Sequence, residues 1–146
     1  MNRVVLDSGV LVASVYPETL TPQAKGLLKQ LQAEQASLHA PILLRYELTA
    51  VSRKAVYRGR VTAEEGLIAR DALLRYPVTL HFDDALLTRG YEPAAEHNRP
   101  TAYDTQYLAL AERLDCPFWT ADGRLFNAIQ NQFPHIHRLG GWQVGK

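Results

Sequence analysis

Two carboxylates follow apolar runs that are typical of buried strands. Asp7 comes directly after "VVL", and Asp122 follows "FWT" after one intervening residue. In open sheets of parallel strands, functional side chains gather at the carboxyl ends of the strands, near the point where the strand order reverses. Asp7 and Asp122 are therefore candidate site residues.

Two further acids lie at the border of an apolar helical face. In "LLRYELTAV", Glu47 falls beside the face formed by Leu44 and Leu48, and in "YDTQYLALAERL" Asp104 lies in the first turn, at the edge of the arc through Tyr107. A carboxylate that only interacts with solvent would be expected on the opposite side. Glu47 and Asp104 are therefore predicted to point partly toward the body of the protein.

Each of these acids also has a purely structural interpretation. Asp7 and Asp122 could cap helices that begin just after them, and Asp104 could complete a capping box with Thr101. Four carboxylates that converge on one cleft would repel one another, however, unless a cation or protons compensate them. All-oxygen sites of this kind suit Mg²⁺ or Mn²⁺, and the chemistry they support is phosphodiester hydrolysis.

The chain alternates between strand-like and helix-like segments. The strand-like runs are 3–6, 37–41, 78–82, 117–120 and 135–139. The helix-like stretches are 9–16, 21–35, 42–59, 62–75, 84–97, 103–115 and 123–131. This alternation predicts an α/β fold, in which a mainly parallel sheet of about five strands is flanked by helices on both faces.

Composition limits the classes of protein. A length of 146 residues suits one domain, and 47% apolar with 21% charged residues is ordinary globular usage. A net charge of +1 gives no overall basic field, so that any affinity for nucleic acid must come from a local patch. The run "VVLDSGVLVASV" is too short to span a bilayer and contains Asp7, so we expect no membrane association and a cytoplasmic location.

The remaining reactive side chains predict no other chemistry. Cys116 has no second cysteine to pair with and is predicted to be a small buried hydrophobe. His135 and His137 have a spacing that can bind zinc, but no further His or Cys pair completes a tetrahedral site, so structural roles are expected. The sequence also lacks the phosphate-binding glycine loops and the G-x-S-x-G elbow.

The quoted motifs, in their order along the chain, resemble those of the PIN-domain family. They are "VVLDSGVLVAS", "LLRYELTAV", "YDTQYLALAERL" and "WTAD", and within the family they look most like the VapC-type toxin ribonucleases of type II toxin–antitoxin systems. The resemblance implies a PIN domain over residues 1–146. It further implies a Mg²⁺ or Mn²⁺ cofactor, an RNA substrate, a cognate antitoxin and a homodimer.

The resemblance also assigns roles to residues. Asp7, Glu47, Asp104 and Asp122 would be both the catalytic and the metal-site carboxylates. Ser8 and Thr120 match hydroxyl positions that support the site. Gly9 departs from the commonest pattern, in which Ser, Asn or Thr follows, and is expected to loosen the first helical turn.

A basic helix surface is a candidate for contact with RNA. Residues 45–60 hold five basic side chains against one acid, and helical phase places Lys54 and Arg58 on the side of Glu47. These two are predicted to contact RNA phosphates, the alternative being an ordinary solvated face. Two other functions stay open at this point: a non-catalytic RNA- or protein-binding PIN module, and a PIN nuclease that acts in RNA processing or on DNA without an antitoxin.

Overall fold

A computed structural model describes residues 2–99 and 102–144. In this part of the chain five strands form one sheet, with the order β3-β2-β1-β4-β5 and every neighbouring pair parallel. The strands are β1 (Arg3–Leu6), β2 (Ser37–Pro41), β3 (Thr79–His81), β4 (Phe118–Thr120) and β5 (Ile136–Arg138). The predicted α/β fold with a parallel sheet of about five strands is confirmed.

Seven α-helices connect the strands in the described residues. They are α1 (Ser8–Val15), α2 (Thr21–Ala33), α3 (Leu43–Tyr57), α4 (Ala63–Leu74), α5 (Asp84–Glu96), α6 (Asp104–Leu114) and α7 (Gly123–Ile129). Every predicted element is present, and its ends differ from the prediction by no more than two residues. A short 3-10 helix, Leu139–Gly141, was not predicted. Its first residue, Leu139, was predicted to end the final strand.

The order of the strands reverses between β1 and β4. The chain moves outward from β1 to β2 and β3, returns across the sheet to β4, and ends at β5 on the other edge. Because such crossovers are right-handed, this path places α1 to α4 on one face of the sheet and α5 to α7 on the other. Asp7 and Asp122 follow the two strands at this switch point, where parallel sheets bind their ligands.

Helix α6 lies in the centre of the core. All seven residues from 105 to 111 are buried, and the Tyr107 ring stacks on Phe118 of β4 at 6.1 Å between centroids. Burial of a large apolar side chain stabilises a fold by about 1.5–3 kcal/mol, so this helix is held firmly against the sheet. Asp104, its first residue, is thereby fixed at the carboxyl edge of the strands.

The other residues that the sequence singled out lie outside this edge. Cys116 is buried, as predicted, and burial raises the pKa of its thiol. His135 is 3.1 Å from the Asp115 carboxylate, and His137 stacks on Trp119. Among residues 2–99 and 102–144, no helix has both the length and the apolar character needed to cross a membrane.

Candidate active site

Asp7 is held by three neighbouring donors. It is the N-cap of α1, where its Oδ1 accepts a hydrogen bond from the Val10 amide at 3.2 Å. Its Oδ2 accepts from the Thr120 hydroxyl at 2.5 Å and from the Ala121 amide at 3.3 Å. The Thr120 oxygen in turn accepts the Asp122 amide proton at 2.9 Å. One fully buried hydroxyl therefore joins the two strand ends.

The surroundings of Asp7 disfavour its charged form. Burial raises the pKa of this carboxyl to about 6, against the hydrogen bonds from Thr120, Val10 and Ala121, which lower it. The nearby charge of Glu47 raises the pKa further. The three hydrogen bonds therefore do not fully offset the burial of the Asp7 carboxylate, and a nearby cation would favour its charged form.

Glu47 projects from α3 toward the same place. Its Oε1 accepts a hydrogen bond of 2.5 Å from the Tyr107 hydroxyl. Burial raises the pKa of Glu47, the Tyr107 hydrogen bond lowers it, the charge of Asp104 raises it, and the Ser8 hydroxyl lowers it. Burial and the charge of Glu47 raise the pKa of Tyr107, so that this phenol remains a hydrogen-bond donor.

Asp104 has a charged partner. Arg99 Nη2 lies 2.8 Å from Asp104 Oδ2, and the two side chains are 19% and 34% exposed. The N-cap of α6 is Tyr103, which makes no side-chain capping hydrogen bond. Thr101, the proposed partner in a capping box, lies outside the described residues.

Asp122 is the N-cap of α7. Its Oδ1 accepts hydrogen bonds from the Arg124 amide at 2.9 Å and from the Leu125 amide at 3.1 Å. The structural interpretation is therefore correct for both Asp7 and Asp122, since each caps a helix. Capping leaves the exposed side of Asp122 free, so this role does not prevent the carboxylate from facing a ligand.

The four acids line a single cleft of about 290 Å³. Asp7, Glu47, Asp104 and Asp122 thus share one cleft, as predicted, whereas their catalytic and metal-binding roles stay a prediction. Ser8 and Gly9 also line the cleft. A Cβ on Gly9 would lie 2.8 Å from Ala121 Cβ, so glycine permits α1 to approach the end of β4 closely. Close packing is a physical reason for glycine here that the sequence alone did not show.

The donor atoms of the cleft fit a hard divalent cation. Four carboxylates and the Ser8 hydroxyl offer only oxygen, which Mg²⁺ and Mn²⁺ prefer. Within residues 2–99 and 102–144, no group of three or more His, Cys, Asp or Glu side chains is placed so that it could hold a metal ion as it stands. A cation at this cleft would therefore need the carboxylates to move or water molecules to complete its coordination, which Mg²⁺ sites commonly use and closed zinc sites do not.

The structure adds two residues to the predicted site and leaves two outside it. Tyr107 and Arg99 bind Glu47 and Asp104 directly, and neither was predicted. A tyrosine on an apolar helical face signals only a core residue, and nothing in the sequence pairs Arg99 with an acid. Lys54 and Arg58 are exposed and do not line the cleft. Their contact with RNA stays a prediction.

The switch point, the acid-lined cleft and the parallel sheet agree with the sequence relationships of the chain, which belongs to the PIN-domain family. The PIN domain family model matches residues 4–131. Ribonuclease VapC9 of Mycobacterium tuberculosis is 34% identical over 136 residues, which are 90% of this chain and 94% of that protein.

Solved structures share the fold. The crystal structure of PAE2754 from Pyrobaculum aerophilum superposes with a TM-score of 0.64 at 18% identity, covering 95% of this chain and 92% of the other. A toxin–antitoxin complex from Klebsiella pneumoniae gives 0.61 at 15% identity, covering 97% and 99%. At these identities the likeness concerns the fold alone.

Proposed function

We propose that this protein is a Mg²⁺- or Mn²⁺-dependent endoribonuclease and the toxin of a type II toxin–antitoxin pair. The observation that carries this proposal is the convergence of four carboxylates on one cleft at the switch point of the sheet. The relationship to VapC ribonucleases, which extends over nearly the whole chain, supports RNA as the substrate.

Asp7, Asp104 and Asp122 would hold the cation directly, and Glu47 would add its negative charge to the site, with Ser8 and Thr120 in support. When bound, the cation supplies positive charge to the scissile phosphate and makes water more acidic. Thr120 fixes Asp7 through a buried hydrogen bond, so that this carboxylate keeps one orientation when substrate arrives. Oriented ligands of this kind lower the cost of reorganisation during the reaction.

Glu47 is the proposed proton acceptor. Its Oε1 is occupied by the Tyr107 hydroxyl, which leaves Oε2 to take a proton from the attacking water. The raised pKa of Glu47 makes it a better base than an exposed glutamate. As the water oxygen bonds to phosphorus, the P–O ester bond breaks and the leaving oxygen takes a proton from solvent.

Cleavage of RNA tests the proposal. Purified protein is incubated with structured RNAs in MnCl₂ or in EDTA, alongside an Asp7→Asn variant. A matched control is Asp71→Asn, because Asp71 pairs with Arg70 on α4 and does not line the cleft. The wild type and Asp71→Asn should cleave RNA in MnCl₂ and not in EDTA, and Asp7→Asn should cleave it about a thousandfold more slowly in MnCl₂. Full activity in EDTA would exclude a metal-dependent nuclease.

A cognate antitoxin is proposed as the protein partner, because this chain has the fold found in the Klebsiella pneumoniae toxin–antitoxin complex. An adjacent short gene that encodes a DNA-binding protein would supply the candidate. Co-expression and co-purification of the two chains, with loss of cleavage in the complex, is the expected result. A toxin of this kind would act on RNA in the cytoplasm.

A homodimer is proposed from an apolar groove beside the acids. The groove measures about 470 Å³, and the exposed side chains Tyr46, Phe82, Leu87 and Tyr103 contribute to its lining. Exposed aromatic and aliphatic side chains gathered along one groove are typical of an interface between proteins. Light scattering should give twice the mass of one chain for the wild type. For Phe82→Glu it should give the mass of a single chain. A monomeric wild type would contradict this assignment.

A further inference from the structure

Arg99 differs from the other side-chain partners of the four acids. Asp7 is bonded by a threonine hydroxyl, and Glu47 is bonded by a tyrosine hydroxyl. Asp122 accepts its hydrogen bonds from backbone amides. In the part of the chain that the structure describes, Asp104 is the one acid of the four that forms a salt bridge. A positive charge, that of Arg99, therefore already contacts one of the four acids of the cleft.

The backbone holds Arg99 at this place. Two residues after the end of α5, Asn98 adopts the left-handed conformation, with a φ of 50°. The Asn98 amide donates to the Ala95 carbonyl at 3.3 Å, and the Arg99 amide donates to the Ala94 carbonyl at 2.8 Å. This pair of hydrogen bonds is the Schellman motif, in which asparagine is an accepted left-handed residue. Arg99 is thus the first residue after a well-formed helix end.

Helix α5 is in turn fixed to α6, which carries Asp104. The Thr105 hydroxyl donates to the Gly90 carbonyl at 2.5 Å, and the Gln106 side chain donates through Nε2 to the Leu87 carbonyl at 3.3 Å. A Cβ on Gly90 would lie 2.2 Å from Gln106 Nε2, so glycine allows the two helices to approach closely. Arg99 therefore follows, and Asp104 begins, two helices that are hydrogen-bonded to each other, which brings the two side chains together.

We propose that Arg99 is an internal competitor of the divalent cation, which holds the Asp104 carboxylate in the metal-free protein and must release it when the cation binds. This inference rests on the proposed metal site. Arg99 thereby sets the metal affinity of the cleft, and it acts as a positioning residue for Asp104.

The competition follows from charge and geometry. A guanidinium hydrogen bond and a cation both require the lone pairs of the same carboxylate, and two positive charges at one oxygen repel. The salt bridge is partly exposed, so water can replace Asp104 as the partner of Arg99 when the carboxylate turns to the cation. Removal of the guanidinium should therefore leave Asp104 freer to bind the ion and raise the affinity for it.

Isothermal titration with MnCl₂ tests this prediction on the purified full chain. Arg99→Gln should bind Mn²⁺ about tenfold more tightly than the wild type, which corresponds to the loss of one partly exposed charged hydrogen bond. The matched control is Arg113→Gln. Arg113 lies 2.7 Å from Asp83, so this variant also removes one positive charge and one salt bridge between the same regions of the chain, away from the cleft. Its Mn²⁺ affinity should equal that of the wild type.

The outcomes separate this inference from the proposed function. If the wild type binds Mn²⁺ and Arg99→Gln binds it equally or more weakly, the competition is wrong while the metal site stands. If neither binds Mn²⁺, the proposed metal site itself is wrong, and the competition falls with it. Equal gains in Arg99→Gln and Arg113→Gln would show a general effect of net charge and would also overturn the competition.

A second measurement uses the wild type alone and does not depend on a variant that folds. Nitrogen NMR of the arginine side chains should show hindered rotation of the Arg99 guanidinium in the metal-free protein. Addition of MgCl₂ should restore free rotation at Arg99 and leave Arg113 unchanged. A guanidinium of Arg99 that stays hindered at saturating MgCl₂ would contradict the release.

Discussion

The two walls of the cleft are built differently. The strand wall consists of Asp7, Thr120, Ala121 and Asp122, and its hydrogen bonds come from backbone amides and one fully buried hydroxyl. The helix wall consists of Glu47, Asp104, Tyr107 and Arg99, and its hydrogen bonds join side chain to side chain. The sheet therefore fixes the first wall, whereas partners of the second wall can be exchanged. We expect loss of a buried partner in the strand wall to cost more stability than loss of a side-chain partner in the helix wall, whereas the acids of both walls should be needed for activity.

The largest effect is expected from Asp7 in the strand wall. Asp7→Asn should lower RNA cleavage by about a thousandfold, as the loss of a main charge-stabilising group does in other hydrolases. The amide keeps an oxygen for the Thr120 hydroxyl, so the variant should remain folded, which circular dichroism will show. Cleavage within threefold of the wild type, in a folded variant, would remove Asp7 from the site.

Stability against pH distinguishes a strained carboxylate from an ordinary cap. Because the pKa of Asp7 is raised to about 6, the folded state holds its proton more tightly than the unfolded state. As the pH rises from about 4 to about 6, this group should therefore destabilise the metal-free protein, by up to about 3 kcal/mol. Urea unfolding of the wild type and Asp7→Asn at several pH values measures the difference. The stability of Asp7→Asn relative to the wild type should increase as the pH rises. A decrease would contradict the raised pKa of Asp7.

Thr120 tests the buried link within the strand wall. Thr120→Val removes the donor to Asp7 and the acceptor of the Asp122 amide, and should lower the free energy of unfolding by about 2 kcal/mol. Thr120→Ser keeps the hydroxyl, so its free energy of unfolding should fall by less. Equal losses in the two variants, measured by urea unfolding, would show that the hydroxyl link contributes no more to stability than the methyl group, which only Thr120→Ser removes.

Tyr107 tests the helix wall. Tyr107→Phe keeps the buried ring and removes the hydrogen bond to Glu47, so a loss of about 1 kcal/mol in stability is expected. This hydrogen bond lowers the pKa of Glu47, and its removal should move the acidic limb of the pH–rate profile to higher pH. An unchanged limb would mean that Glu47 is not the proton acceptor.

The smallest effect concerns residues outside both walls. Replacement of Lys54 and Arg58 by Ala should weaken RNA binding across all sequences and reduce the slope of log affinity against log salt by about 1.4. Arg53→Ala, on another side of α3, serves as the control. Filter binding at several salt concentrations measures the slope, and equal slopes in the wild type and the double variant would assign both residues to an ordinary solvated surface.

The contrast between the strand wall and the helix wall also explains which site residues could be predicted from the sequence alone. Asp7 and Asp122 could be found because each follows an apolar strand, and the parallel alternation places such strand ends together. The edge positions of Glu47 and Asp104 followed from helical phase. Their partners are Tyr107, sixty residues from Glu47, and Arg99, five residues before Asp104. No local pattern encodes those contacts, because they depend on how α3, α5 and α6 pack.

The central claim is that the two walls form one cation site. Crystals of the wild type soaked in MnCl₂, with anomalous scattering recorded near the manganese absorption edge, test it most directly. We expect an anomalous peak in the cleft among Asp7, Glu47, Asp104 and Asp122, with Asp104 turned away from Arg99. Density for an intact Arg99–Asp104 salt bridge, and no peak in the cleft at saturating MnCl₂, would contradict the account.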